Sequence, residues 1–105
     1  MTTYVIDLDG TLCTIAGLEY GKAQPIKSRI NHINRLYDEG NRIVIQTARG
    51  FTAGTVQDLE SVHDLTYNQL VSWGIRFHDL SVGAKIPGDV YIDDKAINAH
   101  VYFDR

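Results

Sequence analysis

The sequence holds one cysteine, two prolines and no apolar run approaching the roughly 20 residues that span a bilayer. A lone thiol, Cys13, excludes an internal disulfide and fits a reducing compartment. There is no excess of basic residues either: 10 Lys and Arg stand against 13 acids, giving a formal net charge of −3. That balance provides no basic face for long nucleic acid and disfavours such a partner. The first residues lack the charged and apolar regions of a secretory leader, so the expected compartment is the cytoplasm. His32, His63, His78 and His100 show no ligand spacing, which argues against a histidine-bound transition metal. Repeats, low-complexity tracts and linkers are also missing. Residues 1–105 are therefore read as one domain around a single core.

What is present is an alternation of short apolar runs and helical patterns. Tyr4-Val5-Ile6 reads as a buried strand, β-branched and without polar alternation. Residues 11–24 read as irregular, punctuated by Gly17 and Gly21. Pro25 suits the start of a helix carrying Ile26, Ile30, Ile33 and Tyr37 at helical spacing, closed by Gly40 and Asn41. Ile43-Val44-Ile45 is a second buried strand. Tyr67, Leu70 and Val71 suggest another helix ending near Trp73-Gly74, and Ile75 to Leu80 a strand. Asp89 to Ile92 reads as a third buried strand, and His100 to Phe103 as a last edge strand. Such alternation implies an α/β fold: a three-layer, Rossmann-like, mostly parallel sheet with helices on both faces.

Ligands of such sheets bind beyond the carboxyl ends of the strands. Each of the surest strands ends there in polar residues: Asp7 and Asp9, then Thr47 and Arg49, then Asp93 and Asp94. Four carboxylates meeting in one crevice repel one another and need a counter-charge. A hard divalent cation held through oxygens, Mg²⁺ above all, meets that need and leaves coordination sites for a phosphate. Lys85, in the loop Gly83-Ala84-Lys85-Ile86-Pro87-Gly88, adds positive charge, and the Thr47 hydroxyl can donate to a phosphoryl oxygen. Phosphoryl transfer asks mainly for positioning and charge neutralisation, and a carboxylate is a competent nucleophile towards phosphorus. The pair Asp7 and Asp9 can then divide attack from proton transfer.

These motifs resemble the haloacid dehalogenase (HAD) superfamily of phosphatases. Its motifs are a strand ending in DxDGT (Val5-Ile6-Asp7-Leu8-Asp9-Gly10-Thr11), a strand ending in Thr or Ser (Ile43 to Thr47), a Lys, and a strand ending in paired acids (Val90 to Asp94). All four stand in order and span nearly the whole chain. The resemblance implies Asp7 as nucleophile and Asp9 as acid/base, with Thr47 and Lys85 holding phosphate; Gly10 is a further candidate for phosphate, and Ala48 and Arg49 are candidates to contact the substrate. It places Mg²⁺ on the Asp7 side chain, the Asp9 backbone carbonyl and Asp94, with Asp93 behind. The DDKAIN ending is similar to small sugar-phosphate and capsule-biosynthesis members, so the implied reaction is hydrolysis of a small phosphorylated metabolite through an aspartyl-phosphate. Large cap domains have no room here, and a second copy of the chain or the loop 11–24 is expected to complete the pocket.

Plainer roles exist for several of these residues. Lys95 competes with Lys85. Asp93 or Asp94 could cap the turn that follows. Arg49 could clasp substrate or merely pair with an acid, Cys13 is a packed thiol, and Trp73 reads as core or helix-end packing. A nucleotide or nucleic-acid-end phosphatase is the alternative substrate class. A non-enzymatic phospho-acceptor module is a second alternative, disfavoured by the presence of Asp9.

Overall fold

In a computed structural model of the chain, the described residues are 1–50, 56–83 and 86–104. Strands β1 (Thr3–Asp7), β2 (Arg42–Thr47), β3 (Asp79–Val82) and β4 (Val90–Ile92) form one parallel sheet in the order β3-β2-β1-β4. Helix α1 (Lys27–Asp38) joins β1 to β2, α2 (Val56–Ser72) precedes β3, and a short α3 (Ala99–Phe103) follows β4. Register sets Ile6 beside Ile45 and Tyr4 beside Ile43, so alternate residues share a face.

On that face Ile6, Ile43 and Ile45 pack against Ile30 and Ile33 of α1, Leu70 of α2 and Ile75 just beyond it. Burying each of these side chains contributes about 1.5–3 kcal/mol. Val5 and Val44 are equally buried but point to the opposite face. There the chain near Gly88 crosses so closely that a Cβ at 88 would overlap Val5. The two long helices thus share one face of the sheet.

Polar groups lock the helices in place. Asn34, buried on α1, donates to the Gly74 carbonyl (2.9 Å) and accepts from Arg76 N (2.8 Å), pinning α1 to the α2–β3 connection. Gly40, at φ +92°, ends α1 in the left-handed conformation its successor needs. Asn41 then donates to Leu36 O (3.1 Å) and accepts from Thr2 N (3.0 Å), tying the helix end to the start of β1.

Three elements differ from expectation. Ile75 enters the core rather than a strand, and β3 begins at Asp79. Among the described residues the run Val90–Ile92 is an edge strand paired with β1 alone, and Val90 and Tyr91 are exposed rather than buried. His100–Phe103 is helical, not a strand: the Asn98 side chain accepts from His100 N (3.0 Å), a local cap that favours a helix start where no strand among the described residues pairs with this segment.

Candidate active site

The order β3-β2-β1-β4 reverses direction between β1 and β4, and the carboxyl ends of these two strands carry the acids. Asp7 is the last residue of β1, and Asp93 and Asp94 directly follow β4. One carboxylate oxygen from each of the three lies within 4.8 Å of the others. Among the described residues no Lys or Arg forms an ion pair with any of them.

The Asp-Gly-Thr turn explains how these acids come so close. Thr11, Leu12 and Cys13 N–H groups all point at the Leu8 carbonyl (3.1, 2.8 and 3.3 Å), folding the chain back tightly behind β1. Arg29 clamps the turn from outside through the Gly10 and Thr11 carbonyls (3.3 and 2.9 Å). Gly10 takes φ +84°, and a Cβ there would overlap the Asp94 carboxylate, so only glycine lets Asp94 approach β1. Its N–H donates to Cys13 O (2.8 Å). Gly10 thus leaves room for the Asp94 carboxylate, while its own N–H is engaged within the turn.

Thr11 Oγ1 donates to Asp7 Oδ2 (3.1 Å) and fixes that carboxylate. Burial, and next the charge of Asp93, raise the Asp7 carboxyl to about 6. The Thr11 hydrogen bond opposes this, and Asp94 adds a smaller upward push. Such a carboxyl is short of positive charge, which is the condition a bound cation relieves. With three carboxylate donors and, among the described residues, no Lys or Arg in an ion pair with them, the cluster fits a hard, oxygen-seeking ion such as Mg²⁺. Asp93 Oδ1 also accepts from Lys95 N (2.7 Å), doing the capping expected of one member of the pair.

Asp9 borders the same opening as these acids but is paired with Arg49. Arg49 grips it as a planar fork, Nε to Oδ2 at 2.9 Å and NH2 to Oδ1 at 2.8 Å, and Cys13 Sγ donates to Oδ1 at 3.4 Å. Burial works against the Arg49 charge, but the hydrogen bonds and the charge of Asp9 outweigh it and raise its pKa. Burial first, and then the Asp9 charge, push the Cys13 thiol up to about 12, which makes it a packed, unreactive group. Thr47, buried at the end of β2, accepts from Arg49 N through Oγ1 (3.1 Å), leaving its hydroxyl hydrogen to donate elsewhere.

Asp7, Thr47, Ala48 and Asp93 border two openings. One, of about 380 Å³, is lined further by Asp9, Tyr20, Arg49, Asp94 and Lys95. The other, of about 500 Å³, runs along the sheet past Val5, Gln46, Tyr91 and Ile92. Lys85 and Ala84 lie outside the described residues. Arg49, expected either to hold substrate or to pair with an acid, makes the pairing. Sequence reasoning missed Tyr20, Thr66 and Gln69, which surround Arg49 from the loop 11–24 and from α2. Nothing in their local sequence marks them, because each acts only through a partner at least 17 residues away.

No family model matches the sequence, and no curated protein does. Solved structures do. A Vibrio cholerae protein described as a crystallographic target has a TM-score of 0.71 and 26% identity, over 97% of this chain and 87% of its own. A chain of a Pnkp1/Rnl/Hen1 complex has a TM-score of 0.60 at 14% identity, over 91% of this chain and 30% of its own. A D,D-heptose 1,7-bisphosphate phosphatase from B. bronchiseptica, crystallised with magnesium and phosphate, has a TM-score of 0.56 at 20% identity, over 91% of this chain and 54% of its own. The architecture of the described residues is thus a Rossmann-like α/β fold built on one parallel four-stranded sheet, the fold that these solved structures share.

Proposed function

We propose that the chain is a Mg²⁺-dependent phosphomonoesterase acting on a small phosphorylated metabolite, a sugar phosphate by the resemblance of its DDKAIN segment. The observation that carries this reading is the meeting of Asp7, Asp93 and Asp94 within 4.8 Å, beside an Asp9 held in place by Arg49. The Asp7 and Asp94 side chains and the Asp9 backbone carbonyl would hold the ion, with Asp93, occupied by Lys95 N, behind them. When bound, the ion neutralises the acids and draws a phosphoryl oxygen, so that a phosphate dianion can approach.

In this reading an Asp7 oxygen forms a bond to phosphorus as the bond to the leaving oxygen breaks. Asp9 gives that oxygen a proton. Asp9 then takes a proton from water, whose oxygen attacks phosphorus and releases phosphate from Asp7. Of the Asp9 oxygens, Oδ1 accepts from two donors and Oδ2 from one among the described residues, so Oδ2 keeps the freer lone pair for that proton. Thr47 donates its hydroxyl hydrogen to a phosphoryl oxygen, and Lys85 supplies a cation.

Phosphate release from p-nitrophenyl phosphate, measured with Mg²⁺ and then with EDTA, tests the reading. Release is expected only with the metal, and Asp7→Ala is expected to abolish it. A variant that turns over at the wild-type rate would sink the proposal. A panel of sugar phosphates, nucleotides and 3′- or 5′-phosphorylated oligonucleotides separates the metabolite reading from the nucleotide or nucleic-acid-end alternative.

A further inference from the structure

We infer that Arg49 is a positioning residue that fixes the Asp9 carboxylate, and that Tyr20, Gln69 and Thr66 in turn fix Arg49. What Asp9 does rests on the phosphatase reading; how it is held rests on geometry alone.

A guanidinium carries five N–H donors, and every nitrogen of this one is engaged. Nε and NH2 take the two Asp9 oxygens (2.9 and 2.8 Å), and NH2 also reaches Cys13 Sγ (3.8 Å). NH1 reaches Gln69 Oε1 (2.5 Å) and Thr66 Oγ1 (3.2 Å). The Arg49 side chain is 1% exposed, and the Tyr20 ring covers its Cζ at 4.9 Å. Tyr20 is itself anchored, accepting from Gly50 N through its hydroxyl (3.2 Å) and from Gln69 Nε2 through its carbonyl (2.7 Å). A cation so fully used has no donor left for a substrate phosphate. A buried charge pair is also a poor way to gain stability, since desolvation offsets most of the attraction. What the arrangement does provide is orientation. Asp9 lies past the end of β1, its side chain is 26% exposed, and the fork fixes both the plane and the direction of its carboxylate.

The test compares Arg49→Ala, Arg49→Lys and Gln69→Ala with the wild type on two esters, p-nitrophenyl phosphate and ethyl phosphate. Their leaving oxygens differ in how much they need a proton. Arg49→Ala is expected to lower kcat about 10²–10³-fold on ethyl phosphate and about tenfold or less on the aryl ester. KM and inhibition by inorganic phosphate should stay within about threefold. Arg49→Lys should fall close to Arg49→Ala because an ammonium lacks the fork, and Gln69→Ala should show a smaller change in the same direction. If Arg49→Ala does not fold, these two variants carry the comparison. Equal losses on both esters would reduce Arg49 to a structural role, and a tenfold rise in KM with kcat preserved would make it a substrate ligand; either overturns the inference.

Thermal unfolding of Asp9→Ala, Arg49→Ala and the double variant supplies a readout free of activity. The double variant is expected to lose no more in Tm than Arg49→Ala alone, and additive losses would overturn the pairing. A wild type that releases no phosphate would overturn the phosphatase reading and the catalytic half of this inference, while the unfolding cycle still decides the pairing.

Discussion

Replacing Asp7 with Asn is expected to strengthen the metal-free fold while ending turnover. The Asp7 carboxyl sits at about 6 in the folded chain, against an ordinary 3.8, because burial and the neighbouring Asp93 oppose its charge. Between those two values the folded state holds a proton that the unfolded chain has lost. Stability therefore falls as pH rises from about 4 to about 6, and the full penalty persists above. A carboxyl moved that far carries at most about 3 kcal/mol. Asp7 is only partly buried, and screening by solvent brings the figure to about 1–2 kcal/mol. For a chain of this size that corresponds to about 5–10 °C in Tm. Asn retains an oxygen to accept the Thr11 hydroxyl, so the substitution removes the charge and little else. Thermal unfolding in EDTA should show Asp7→Asn melting above the wild type at pH 7.5 and with it at pH 3.5. Adding Mg²⁺ should raise the wild type by more than the variant, since binding to the folded state alone stabilises it. Equal melting points at pH 7.5, or a gap that persists unchanged at pH 3.5, would refute the reasoning.

Other outcomes follow from single contacts. Gly10→Ala places a Cβ on the Asp94 carboxylate at a φ of +84°, so Mg²⁺ affinity by calorimetry should fall at least tenfold, with a stability loss of about 1–3 kcal/mol. Asn34→Ala strands the Gly74 carbonyl and Arg76 N–H, and urea unfolding should register a loss of about 1–3 kcal/mol while turnover of the folded fraction stays unchanged. Thr47→Val keeps the shape of a buried side chain but deletes the hydroxyl that accepts from Arg49 N. Inhibition by inorganic phosphate should weaken, and phosphate titration of the two proteins compares them directly.

The legible parts of the fold were those with a strong local signal. Ile43-Val44-Ile45 read as a buried strand and is one, and the spacing of Ile30 and Ile33 with the Gly40-Asn41 stop marked α1 closely. Val90-Tyr91-Ile92 misled because an apolar composition does not say how many neighbours a strand has; its edge position follows from the sheet order alone. His100–Phe103 misled because β-branched and aromatic residues suggested a strand, while the Asn98 cap two residues ahead chose a helix.

In the candidate site, the sequence alone determined which groups arrive at the carboxyl end of the sheet: Asp7 and Asp9, Thr47 and Arg49, Asp93 and Asp94. Apolar strand runs end in them, and a parallel sheet delivers strand ends to one rim. Only the tertiary structure decided how they divide. It joined Asp7 to Asp93 and Asp94, paired Asp9 with Arg49, and enclosed Arg49 with Tyr20 and Gln69. The physical reason is that each pairing closes a loop of tens of residues, and its direction is set by rotamers and by the room Gly10 leaves, neither of which local pattern encodes.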